Sequence, residues 1–133
     1  MKELIVEARL DNLDEVLDFV NEEIERHNCP PEIQSQIDIA VEEVFMNIAH
    51  YAYKPANGDV AICIYAGDEI IIIFEDTGKP FNPLEQTDPD LEKPLKERKI
   101  GGLGIFLVRR IMDKVLYRHV DDNKNVLIIR KKL

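Results

Sequence analysis

Leu4, Val6, Ala8 and Leu10 alternate with Glu3, Glu7 and Arg9, which predicts a half-buried first strand. Asn12, with Glu15 three residues on, resembles a capping box. Behind it Leu13, Val16, Leu17, Val20 and Ile24 recur at helical spacing, so a first amphipathic helix is expected. Asn28 to Pro31 interrupts it, and Pro31 suits the first turn of a second helix. That helix carries Ile33, Ile37, Val41, Val44 and Ile48 on one stripe and should end near Tyr53-Lys54-Pro55. Asn57-Gly58 then turns the chain into a strand, Val60 to Tyr65, and Ala66-Gly67-Asp68 predicts a hairpin turn. Ile70 to Phe74 is an unbroken apolar run, expected as a central strand covered on both faces.

From Asp76 to Gly104 the periodicity stops, and Pro80, Pro83, Pro89 and Pro94 fall there, four of the chain's seven prolines. So long an irregular stretch inside a small domain is usually functional. Ile105, Val108, Ile111, Met112 and Val115 predict a third helix. Val115 to Val120 and Val126 to Lys131 then form a closing hairpin around Asp122-Asn123-Lys124. The order is β-α-α-β-β-α-β-β, without internal repeat. Helices on one face of a mostly antiparallel sheet make a two-layer α+β sandwich. With 133 residues, the expectation is one domain over 1–133.

Composition sharpens this picture in a few places. The chain is 45% hydrophobic, which provides a core and argues against disorder. Its 26 acidic residues outnumber 17 basic ones, for a net charge of -9. That balance disfavours general binding to nucleic acid or to anionic membranes. No apolar run is long enough to span a bilayer, and Met1-Lys2-Glu3-Leu4 lacks a signal-peptide core. Cys29 and Cys63 are therefore expected as reduced thiols in a cytoplasmic protein.

Three groups of residues carry candidate chemistry. On the second helix, at roughly 100° per residue, Glu43 and Asn47 share one shoulder of the apolar stripe, whereas Glu42 turns towards solvent. A carboxamide oxygen is a suitable hard ligand for Mg2+, and a carboxylate one turn back could accept a proton from an attacking hydroxyl. An ordinary solvated shoulder would have the same spacing. After the apolar strand come Asp76 and Gly78. A carboxylate there can accept a hydrogen bond from the exocyclic amine of adenine, where guanine offers an acceptor. Gly78 would let a planar ring approach the backbone. A plain Asp-x-Gly turn fits these two residues as well. Lys99, Gly101, Gly102, Leu103 and Gly104 precede the third helix, with Lys93, Lys96 and Arg98 before them. Glycines before a helix N-terminus can bring N–H groups onto phosphate, although a flexible loop with a solvated charge run is the plainer reading. His50, Tyr51 and Tyr53 suit packing and capping, and His27 and His119 have no partners at metal-ligand spacing. The P-loop, eukaryotic-type protein-kinase and nucleophile-elbow signatures are absent from the sequence.

Glu43 with Asn47, Asp76 with Gly78, and Gly102 with Gly104 together resemble, in order and spacing over essentially the whole chain, the nucleotide boxes of the GHKL ATPases. That superfamily includes gyrase-type ATPases and histidine-kinase catalytic domains. The Asp-x-Gly-x-Pro-Phe run from Asp76 and the Gly-Gly-x-Gly run from Gly101 look most like its anti-sigma-factor serine/threonine kinase branch. The resemblance implies ATP and Mg2+ as cofactors, with Asn47 on the metal, Asp76 on adenine, and Gly102 and Gly104 lining the phosphates. Glu43 would be the general base, and Asp88 to Ile100 the lid. It also implies a sigma factor and an anti-sigma-factor antagonist as partners, and homodimerisation. An ATP-gated module that sequesters a partner without phosphoryl transfer is the alternative; a histidine-kinase catalytic domain would need a phosphoacceptor hairpin that this sequence does not carry. Two positions depart from the family pattern. Tyr51 stands where histidine is common, and Asn125-Val126-Leu127 replaces a Gly-Thr near the last strand.

Overall fold

The computed structural model describes residues 1–53, 56–80, 82–85 and 102–133. The chain runs β1 (Lys2–Glu7), α1 (Leu13–Glu25), α2 (Pro31–Tyr51), β2 (Asp59–Ala66), β3 (Glu69–Asp76), α3 (Gly102–Ile111), β4 (Lys114–Val120) and β5 (Lys124–Lys132). Single-turn 3-10 segments at Leu10–Asn12, Pro83–Glu85 and Asp121–Asn123 join some of these. The strands form one antiparallel sheet in the order β1-β2-β3-β5-β4. This is the α+β two-layer sandwich that the pattern predicts.

The core lies between the sheet and the helices. Val16, Val20 and Ile24 of α1 and Ile37, Val41, Val44 and Phe45 of α2 close over Ile62, Ile64, Ile70, Ile72, Phe74 and Ile129. Removing each large side chain of this kind from water contributes about 1.5–3 kcal/mol. Pro31 occupies the first turn of α2, where its missing N–H costs no hydrogen bond. The reversals use left-handed backbone at Asn28 (φ 52) and Asn123 (φ 58), a conformation asparagine tolerates better than most residues.

Two local expectations are corrected. Asn12 makes no side-chain cap on α1; the 3-10 turn before the helix redirects its amide to donate to the Glu7 carbonyl at 2.8 Å. Strand β3 is covered on one face only: Ile70, Ile72, Phe74 and Asp76 are buried, while Ile71, Ile73 and Glu75 are half-buried. Its apolar run continues on the open face because Ile73 lies between Cys63 of β2 and Ile128 of β5 in register. Such cross-strand neighbours shield one another without a second layer. Cys29 and Cys63 are free thiols, and burial together with the neighbouring Glu3 pushes Cys63 up to about 11, which makes it inert as a nucleophile.

Candidate nucleotide site

The site forms where the C-terminal half of α2, the end of β3 and the start of α3 meet. The end of α2 is tied to the segment after β3 by its own backbone. Ala52 caps the helix, and its carbonyl, which no helical N–H reaches, accepts the Lys79 N–H at 2.7 Å. Gly78 is packed so closely there that a Cβ would overlap the Ala52 carbonyl oxygen. Beside it the Tyr53 hydroxyl donates to the Asp59 carbonyl at 2.6 Å and accepts the Thr77 N–H at 2.8 Å. The packing role expected of Tyr53 is thus specific: it pins the start of β2 and the residue after Asp76 to the end of α2.

A pocket opens against this junction, floored by Val44, Ile48 and Leu127 and walled by Asn47, Tyr51, Asp76 and Asn125. Asp76 is 7% exposed, and its Oδ1 accepts the Gly78 N–H and the Asn125 amide, each at 2.9 Å. Both bonds fall on one oxygen, so among the described residues Oδ2 is left to an incoming donor. Across the pocket the Oδ1 of Asn47 is buried and accepts no hydrogen bond within the described residues. An orphaned buried oxygen costs about 1–3 kcal/mol unless a ligand satisfies it. A hard cation such as Mg2+ fits that oxygen by charge and by donor type.

Glu43 lies one turn before Asn47, and its carboxylate rests against α3, where a Cβ on Gly104 would overlap Oε2. Glycine at 104 is what allows α2 and α3 to approach here. Burial, and secondarily the charge of Glu42, holds the Glu43 carboxyl above its ordinary value of 4.5. Glu42 thus acts on its neighbour through its charge. It is half-buried, and its charge also raises Asp38 behind burial of that group.

The structure thus brings Asn47 and Asp76 together at one pocket, packs Gly78 against Ala52 at its edge, and sets Glu43 beside Gly104. Gly102, Leu103 and Gly104 lie in the first turn of α3 instead of a loop ahead of it. Lys99, Gly101, the other cations before them and the segment Asp88 to Ile100 lie outside the described residues. Sequence reasoning missed Asn125. It is 5% exposed and pairs directly with Asp76 across β3 and β5. Its signal was a lone carboxamide opening an apolar strand run, at the position noted only as a departure from the family pattern.

The sequence pattern of the histidine kinase-like ATPase domain matches residues 6–131. The chain belongs to this family. Among curated proteins, a serine-protein kinase RsbW of Bacillus cereus (strain AH187) is 33% identical over 98 residues, covering 69% of this chain and 60% of the relative. The chain thus spans less than two thirds of that relative's length. The serine-kinase branch suggested by the motifs is the one in which this relative falls.

Among solved structures, one containing the RsbU and RsbW domains of a Mycobacterium tuberculosis protein superposes with a TM-score of 0.65 at 12% identity, over 100% of this chain and 33% of that one. A mycobacterial sensor histidine kinase, MprB, superposes with a TM-score of 0.55 at 18% identity, over 99% of this chain and 100% of that one. At these identities the likeness speaks for the fold alone. Among the described residues no helix is long and apolar enough to cross a membrane.

Proposed function

We propose that this chain is an ATP-dependent serine/threonine protein kinase that acts as an anti-sigma factor and phosphorylates a small antagonist protein. The observation that carries the reading is the pairing of the orphaned Asn47 oxygen with the half-occupied Asp76 carboxylate across one pocket. A nucleotide would satisfy both, with Asp76 holding its adenine amine and Asn47 holding its metal. Mg2+ bound there would neutralise phosphate charge. Gly78, Gly102, Leu103 and Gly104 are the backbone positions assigned to the nucleotide, and the resemblance assigns it Lys99 and Gly101, which lie outside the described residues, as well. Glu43 is the proposed base, because its carboxylate stands one turn from Asn47 with a raised proton affinity suited to accepting a hydroxyl proton. The likeness to a protein named as a serine kinase supports a protein hydroxyl as the acceptor.

Incubation with labelled ATP and co-purifying host proteins should place label on serine or threonine of a small partner. Calorimetry beside it should show ATP binding well and GTP poorly. Equal affinity for the two would remove the adenine assignment. A partner that binds in an ATP-dependent way but is never labelled would favour the ATP-gated module.

Homodimerisation belongs to the same proposal. The open sheet face is the apolar surface available for it, with Ile5 60% and Leu116 42% exposed. Glu3 and Glu7 stand on its β1 edge and Lys114, Arg118 and Arg130 towards its β4 side. A two-fold axis running along the strands would set each charged half against its opposite. Sedimentation should show a dimer that Leu116→Glu dissociates; a monomeric wild type would remove this element and leave the site untouched.

A further inference from the structure

We infer that Asn125 is a positioning residue that sets the adenine preference of the pocket, holding Asp76 with one oxygen engaged and the other facing the ligand. The inference rests on Asp76 as the group that reads the base. Asn125 Nδ2 lies against three acceptors: Asp76 Oδ1 at 2.9 Å, and the Gly78 and Lys79 carbonyls at 3.2 Å each. All three are oxygens without a proton, so the NH2 end of the carboxamide is the only end that can face them. The other end is fixed as well. Asn125 Oδ1 accepts the Tyr117 hydroxyl proton at 2.6 Å and lies 3.2 Å from His119 Nδ1.

The carboxamide is therefore spent on protein partners, although Asn125 lines the pocket. It has no hydrogen left for the base and acts on the ligand through Asp76. The same amide grips the Gly78 and Lys79 carbonyls, so the carboxylate and the backbone under the ring are held as one unit. Asp76 and Asn125 are cross-strand partners in register, and the restraint is built into the sheet instead of borrowed from a loop. Without Asn125, Oδ1 of Asp76 keeps, among the described residues, the Gly78 N–H alone. The carboxylate could then rotate, and its acceptor would no longer be prepaid in orientation for an amine donor.

The test compares ATP with purine riboside triphosphate, which lacks only the exocyclic amine, by calorimetry on the full chain. Wild type should prefer ATP. Asn125→Ala should lower ATP affinity by about five- to tenfold, the effect of one charge-assisted hydrogen-bond partner, and leave the analogue nearly unchanged. Introduced into Asp76→Ala, the same substitution should change neither nucleotide further, since residues that act as a unit are not additive. Tyr117→Phe, which removes the hydroxyl that donates to Asn125 Oδ1 and touches none of the Asp76 hydrogen bonds described above, should erode the ATP preference in the same direction by less. This milder variant carries the test if Asn125→Ala fails to fold.

Equal loss of both nucleotides in the variants would reduce Asn125 to a structural residue and overturn the inference while leaving Asp76 as the reader. A wild type that binds ATP and the analogue equally would overturn the reading of Asp76, and the inference with it.

Discussion

Glu43→Gln is expected to slow phosphoryl transfer by roughly 10²–10⁴-fold, the usual contribution of a positioned base, with ATP affinity nearly unchanged. The lower end is favoured because a dissociative transfer depends mostly on positioning. Glutamine is the informative replacement because it preserves the volume packed against Gly104 while losing the basic oxygen. The pH profile gives a second, independent signature. Only the carboxylate form accepts a proton, and Glu43 is held above 4.5 by burial and by Glu42. Activity should therefore disappear, as pH falls, at a midpoint above that of an ordinary glutamate. Glu42→Gln removes the neighbouring charge, so its midpoint should move down and its rate in mildly acidic buffer should exceed that of wild type. Single-turnover rates across pH measure both effects. A Glu43→Gln enzyme as fast as Glu42→Gln at neutral pH would dismiss Glu43 as the base.

Gly78→Ala should be the most damaging single methyl in the site. Its Cβ would overlap a backbone oxygen, that of Ala52, which is already committed to the Lys79 N–H at 2.7 Å. A flexible side chain could swing away, but a carbonyl fixed at a helix end cannot. The loss of stability should reach about 2–3 kcal/mol, the upper part of the range for overpacking. Nucleotide binding should fall further than that loss alone implies, because the strain separates Asp76 from the end of α2. Gly104→Ala should be milder in denaturant, since its clash is with the movable end of Glu43. Paired urea titrations with and without ATP measure both variants. Equal midpoints for Gly78→Ala and wild type would mean that the junction yields easily.

Most of the fold was legible because one-sided burial writes a period into the sequence. The stripe from Ile33 to Ile48 gave α2 its orientation, and that orientation turns Asn47 towards the pocket and Glu43 towards α3. The misreadings share a different cause: each depends on a neighbour distant in the chain. Gly102 to Gly104 resembled a loop because glycine is a poor helix former, but packing of α3 against α2 overrides that propensity. Asn125 became meaningful only through the β3–β5 register, which no local pattern encodes. The unbroken run Ile70 to Phe74 suggested two covering layers, whereas same-face neighbours on adjacent strands suffice.

The position of β5 has a consequence for synthesis. It follows the other seven elements in chain order, yet it lies inside the sheet, between β3 and β4. On the ribosome, α1, α2 and β1 to β3 emerge while β3 still has a bare edge, a state prone to pairing with other chains. Asp76 has no Asn125 beside it until Lys124–Lys132 arrives. A nucleotide bound through that aspartate would favour chains in which β5 is seated over chains in which the edge of β3 is still bare.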